Sequence, residues 1–329
     1  MGKGSGFGKT ILFGEHFVVY GLEGIPCALG KKTTCEVERI SGEKGYELID
    51  NRPASDEYKI KKRDEYDNLI KAILNHLKVE NRIKITLGGD LVPASGVGAS
   101  AAAAASISEA ISNEFGLNLT KEEINKSAFV GETAGSGTPS GIDNTAAVYG
   151  GFLIFAKNLE GGENKIENIT IKKPIEIVLI NSGKAALTKE VVDDVRKLKE
   201  EKPEEINGVF EKYKQLVQDG KKALTEYNLG KIAELMEKNQ ELLRKITVSS
   251  DLLESIIKIA KESGATAAKL TGTGRGGSVI ALTPGKELQE RVAKAVKEAG
   301  YEVTLTTIGW KVWKKLLLEL VEQAGLIMH

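Results

Sequence analysis

The chain is poor in the residues that build metal, redox and base-stacking sites. It has three histidines and two cysteines in 329 residues. With no Cys-x-x-Cys either, the composition argues against a structural zinc centre. Cys27 and Cys35 could pair, but nothing marks a secreted chain, so two reduced, buried thiols are expected. Aromatic residues are 5% of the chain, and no basic stretch interleaves with them to stack bases. Lys and Arg number 46, as do Asp and Glu, so no global field favours nucleic acid or an anionic membrane. No apolar run approaches the roughly 18 residues needed to span a bilayer. The first residues lack the basic segment and long apolar core of a signal peptide. The expectation is a soluble cytoplasmic protein with no nucleic-acid or membrane partner.

What is present is an alternation of strands and helices in an α+β chain long enough for two domains. ILFGEHFVVYG, TTCEVERI and RIKITLGG read as strands. Leu69, Ile73 and Leu77 carry helical spacing. An alanine-rich helix spans Ser100–Phe115, closed by Gly116, and a capping box at Thr120 and Glu123 opens the next. Strands are expected near AAVYGGFLIFA. After a polar turn at Asn158–Lys165 comes IEIVLIN, then a largely helical stretch with strands at AAKLTG, SVIALT and YEVTLTTIG. The expected division is residues 1–162, 163–309, and a tail, 310–329. Val312, Leu316, Leu320 and Ile327 would make that tail an amphipathic helix, able to pair with a copy of itself in a homodimer.

Gly8-Lys9-Thr10 invites comparison with a phosphate-binding P-loop. That motif needs a glycine five residues before the Gly-Lys pair, between a strand and a helix. Position 3 is Lys3, with Gly2 and Gly4 on either side, and Thr10-Ile11-Leu12-Phe13 reads as strand. The expectation is a strand entered from a flexible glycine-rich end, which leaves Lys9 needing another explanation.

Four other stretches could carry chemistry. In LVPASGVGASAAAAA a strand ends, glycines bend the backbone, and a helix begins near Ser100. Its free N–H groups and dipole suit a phosphate, and the alanines leave no bulk over the helix start. Ser100 could face a phosphate or its metal, or be an ordinary N-cap. Glu132 continues the stripe of Ile124 and Ala128, where a buried carboxylate would suit Mg²⁺; alternatively the helix ends by Gly131 and Glu132 is solvated. Asp143, in TPSGIDN, is either a turn former or a group that orients a substrate hydroxyl and accepts its proton. In KLTGTGRGG the run Gly272–Gly277 is nearly bare backbone, and Arg275 could meet a phosphate or stay at the surface.

Taken in order, GKTILFGEHFVVYG, PASGVGASAAAA, TPSGIDN, NQELL and KLTGTGRGG make the chain resemble the small-molecule kinases that include galactokinase, homoserine kinase, mevalonate kinase and phosphomevalonate kinase. The wording of the first and third stretches is similar to the mevalonate kinase family. The resemblance implies a two-domain kinase fold with the active site in the cleft between domains. It implies ATP-dependent phosphorylation of the 5-hydroxyl of (R)-mevalonate, with Mg²⁺. By position it makes Asp143 the base and Lys9 the stabiliser of the reacting hydroxyl. Glu15, His16 and Thr188 would line the substrate pocket. Pro93, Ser95, Gly96, Val97, Gly98, Ala99 and Ser100 would wrap the triphosphate, with Gly272 and Gly274 closing the site. Ser100 and Glu132 would hold the metal. Three positions depart from the family pattern: Ala99 replaces a serine, Arg275 a glycine, and Ala186 stands where relatives carry an arginine.

Overall fold

The computed structural model describes residues 1–93, 96–137, 139–184 and 186–309. Ser95 and the tail 310–329, with its expected amphipathic helix, lie outside the described residues. The chain forms two compact units, Met1–Lys9 with Leu29–Gly150, and Thr10–Ala28 with the chain from Gly151 onward. Strands β1 (Gly2–Phe13) and β2 (Ile25–Arg39) each pass from one unit into the other.

The first unit adds β3 (Gly45–Asp50), α1 (Asp56–Lys61), α2 (Arg63–His76), β4 (Arg82–Gly89), α3 (Ala99–Phe115), α4 (Lys121–Ser136) and α5 (Ile142–Tyr149). β4 lies antiparallel to β2, Thr33 opposite Gly89, and parallel to β3, Gly45 opposite Arg82. Its alternation is that of a half-buried strand. Ile83, Ile85 and Leu87 are fully buried and share one core with Leu69, Ile70 and Ile73 of α2 and Ile107 and Ile111 of α3. The expected capping box forms: Glu123 Oε2 accepts from the Thr120 N–H at 2.8 Å, and Thr120 Oγ1 accepts from the Glu123 N–H at 3.3 Å. Gly116, at φ 63°, ends α3 in the left-handed conformation.

Three expectations change. ILFGEHFVVYG is strand only to Phe13, and Phe17–Tyr20 forms a 3₁₀ turn. The N-terminal glycines are not a flexible end, because β1 already begins at Gly2. A Cβ on Gly2, Gly4 or Gly6 would lie 2.2, 2.2 and 2.1 Å from the carbonyl oxygens of Ala110, Ser106 and Ala102. Two strand residues rise about 6.6 Å and four helix residues about 6 Å, so a glycine at every second place meets every fourth helix carbonyl. The alanines of α3 do related work: Ala101–Ala105 are buried against neighbours rather than clearing space for a ligand. The third change is AAVY, which is helix α5, not strand. Ile142, Thr145, Ala146, Ala147 and Val148 are all buried, so no polar face shows the helical period.

The second unit contains β5 (Phe152–Ala156), β6 (Lys165–Ile169), β7 (Ile175–Asn181), α6 (Thr188–Glu201), α7 (Pro203–Thr225), α8 (Leu229–Lys245), α9 (Asp251–Glu262), β8 (Ala267–Thr271), β9 (Ser278–Leu282), α10 (Lys286–Glu298) and β10 (Glu302–Ile308). Its sheet runs β10-β7-β9-β8, antiparallel throughout, with Ile308 opposite Ile175 and Ile177 opposite Leu282. The glycine-rich run joins β8 to β9. The segment Thr10–Ala28 is fastened here: the Ile11 N–H donates to Thr271 Oγ1 at 3.0 Å, and the Phe17 ring stacks on Tyr213 with centroids 3.8 Å apart. Cys27 and Cys35 are buried thiols, not disulfide-bonded. No helix among the described residues is long and apolar enough to cross a membrane.

The glycine stripe gives a stability test. Gly6→Ala is expected to lower unfolding free energy by about 1–3 kcal/mol, since the neighbour it meets is backbone. Gly208→Ala in α7 meets nothing within 4 Å and is expected to raise stability by up to about 1 kcal/mol. Urea midpoints of the two variants should move in opposite directions; equal shifts would remove the packing explanation.

Candidate active site

In the first unit, four separate stretches converge on the start of α3. Gly98 is its N-cap at φ 66°, so Ser100 sits inside the first turn and is not the cap. No acidic side chain lies in that turn, and its N–H groups with the helix dipole form an anion site. Pro93, Val97 and Ala99 are buried, while Gly96 is exposed at φ 85°. The carbonyl of Val97 accepts from the Lys9 N–H at 2.8 Å, tying the loop to β1.

Lys9, 7% exposed at its side chain, places Nζ 3.1 Å from Oδ1 of Asp143. Asp143 stands in the first turn of α5, and its side chain is 36% exposed. A Cβ at Gly98 would come within 2.9 Å of Lys9 Cγ and 3.7 Å of Asp143 Oδ2. Glycine is therefore required there twice, for the left-handed backbone and for room beside this pair.

Glu132 lies within α4, which continues to Ser136, so its solvated alternative falls. It is 6% exposed, below buried Ile124 and Ala128. Ser100 Oγ donates to Glu132 Oε1 at 2.5 Å. Burial pushes this carboxyl up to about 7; the Ser100 bond opposes the shift, and the Asp143 charge reinforces it.

The second unit gathers Glu15, His16, Thr188, Gly272 and Gly274. Glu15 is buried and ion-paired with Lys269 of β8, both side chains being fully covered. Burial pulls the Lys269 ammonium below its ordinary range, against the attraction of Glu15. His16, at φ 63°, donates from Nε2 to the carbonyl of Thr273 at 2.6 Å. Burial also holds its imidazole below the ordinary histidine range. The Thr273 hydroxyl bonds that of Thr188 at 2.8 Å. Gly274 permits close approach, since a Cβ there would lie 2.2 Å from the Val248 carbonyl oxygen, whereas Gly272 is open.

Arg275 resolves toward its own unit: Nη1 pairs with Asp194 at 2.6 Å and Nε donates to the Thr247 carbonyl at 3.0 Å. Lys269 and Thr273 were not among the sequence candidates. The available signal for Lys269 was a lone charge in an otherwise apolar strand. A groove of about 970 Å³ lined by Tyr46, Arg52, Arg63 and Tyr66 holds none of the predicted residues.

The start of α3, a lysine–carboxylate pair and a hydroxyl–carboxylate pair thus lie together in the first unit. Residues 68–151 match the GHMP kinases N terminal domain, and residues 221–302 match GHMP kinases C terminal. The class is thus a GHMP-type small-molecule kinase, with ATP as co-substrate. The mevalonate kinase of Pyrococcus abyssi is 33% identical, the match covering 91% of this chain and 93% of that protein. That of Thermococcus sibiricus is 32% identical over 91% and 94%. The crystal structure of L. major mevalonate kinase in complex with R-mevalonate has a TM-score of 0.89 at 40% identity, covering 94% of this chain and 96% of that one. The Methanococcus jannaschii mevalonate kinase structure gives 0.75 at 25%, covering 93% and 98%. The chain belongs to the mevalonate kinase family.

Proposed function

We propose that the chain transfers the γ-phosphoryl group of ATP to the 5-hydroxyl of (R)-mevalonate, giving 5-phosphomevalonate and ADP for isoprenoid precursor synthesis. The observation that carries this is the Lys9–Asp143 pair at 3.1 Å beside the glycine-led start of α3. Asp143 orients the hydroxyl and accepts its proton, while Lys9 offsets the negative charge that develops on the oxygen. The N–H groups from Gly98 into α3 hold the phosphates in place, so most of the rate enhancement is positioning and charge stabilisation. Within the second unit, we assign His16 and Thr188 to mevalonate, with Glu15 fully covered beside His16, and Gly272 and Gly274 to the nucleotide.

The donor set fits Mg²⁺. Ser100 and Glu132 offer hard oxygens, and a buried carboxyl pushed up to about 7 is one that a cation would return to its charged form. When bound, Mg²⁺ would neutralise phosphate charge.

ADP release with Mg·ATP should favour (R)-mevalonate over phosphomevalonate, galactose and homoserine by at least about 100-fold in kcat/KM. Equal turnover of another alcohol, or turnover of none, would overturn the substrate.

A further inference from the structure

We propose that Lys269 is a positioning residue for phosphoryl transfer: through the Glu15 carboxylate it holds the Gly14–His16 turn so that His16 donates from Nε2 to Thr273 and keeps Nδ1 as a proton-free acceptor. This rests on the kinase reading above and assigns a role within it.

Lys269 is fully buried, so it reaches no ligand itself. All five residues of β8 are buried, and a lysine survives there only when paired and hydrogen-bonded. Both conditions hold: it pairs with Glu15 and donates to the Leu270 carbonyl at 2.6 Å. An apolar pair would fill the same volume, but it would not fix the direction of a side chain on the neighbouring turn.

The turn needs such fixing. His16 is a non-glycine residue at φ 63°, a conformation that persists only where surroundings over-determine it. Two backbone bonds shape it, Phe17 N–H to Glu15 O at 2.8 Å and Val18 N–H to Gly14 O at 3.1 Å. Two side-chain bonds then anchor it, Glu15 to Lys269 and His16 to Thr273. Both anchors land on one short stretch, β8 and the turn after it. With Nε2 engaged, His16 Nδ1 is buried and has no hydrogen-bond partner among the described residues. The clamp thus leaves one acceptor of fixed direction.

The test is the double variant Lys269→Met/Glu15→Gln in the full chain, which leaves no charge stranded. We expect its Tm to stay near wild type while KM for (R)-mevalonate rises by about tenfold or more and KM for ATP by less than about twofold. The His16 nitrogen shifts, read by ¹⁵N NMR, should lose the pure Nε2–H signature. Lys269→Met alone, with its buried carboxylate stranded, should also lower Tm. Wild-type mevalonate KM in the double variant, or an unchanged His16 signature, would overturn the proposal. The signature decides even if mevalonate proves not to be the substrate. If the variants do not fold, the wild-type spectrum decides: an Nδ1–H tautomer near neutral pH removes the clamp.

Discussion

Replacing Asp143 by Asn is expected to lower kcat by about three orders of magnitude, with KM for ATP and for mevalonate within about threefold. The two side chains are nearly isosteric, and the amide oxygen can still face Lys9, so the pocket keeps its shape. What is lost is the group that takes the proton from the attacking hydroxyl. A factor of 10³ corresponds to about 4 kcal/mol in the barrier, within the usual reach of one general base. Asn also removes the negative charge that reinforces the raised Glu132 carboxyl, so the comparison is read at saturating Mg²⁺. Chemistry must be rate-limiting for the number to be read, and a rapid-quench burst of ADP in the wild type would show when it is not. A loss of tenfold or less in single-turnover measurements would mean that the hydroxyl needs no base here, as a loose phosphoryl-transfer transition state permits.

Much of this arrangement was legible before any coordinates. RIKITLGG and IEIVLIN are β4 and β7 residue for residue, because period-two alternation and continuous apolarity are one-dimensional signals. The capping box is equally local. Lys9, Ser100, Glu132 and Asp143 could be chosen because motifs keep reactive types near glycines, while their grouping came from the family resemblance and not from spacing. The 3.1 Å contact between positions 9 and 143 joins a strand to a helix far along the chain.

Other failures have physical causes. The stripe at Gly2, Gly4 and Gly6 reads as flexibility until the rise of α3 is laid beside it. AAVY reads as strand because burial on every side removes the helical period. The N-cap alternative for Ser100 stayed open because the left-handed conformation of Gly98 is invisible in a list of residues. Arg275 stayed open between a phosphate and the surface because its partners, Asp194 and Thr247, come from other segments.

Glu132→Gln should separate stability from activity. The folded-state carboxyl is raised from an ordinary 4.5 to about 7, so between those values the unfolded chain binds fewer protons than the folded one. Stability from this group is therefore full below pH 4.5 and lost as pH rises through about 7. The full loss is roughly 3 kcal/mol, the penalty for carrying a charge in a covered site. Gln cannot ionise and escapes it. Without metal, then, the variant should match wild type near pH 4.5 and exceed it near pH 8 by at most about 3 kcal/mol. Activity should move the other way: removing one anionic oxygen from the metal should lower kcat/KM for Mg·ATP by on the order of 100-fold. Adding Mg²⁺ and nucleotide should restore wild-type stability at pH 8 and do much less for the variant. Urea titrations at the two pH values, with and without Mg·ADP, test both halves. Parallel curves for the two proteins would mean that the Glu132 carboxylate is stabilised by protein groups alone, and the metal would then need another anchor. Divergent curves that converge on adding metal would mean that the fold maintains an unfavourable buried charge whose compensation arrives with the substrate.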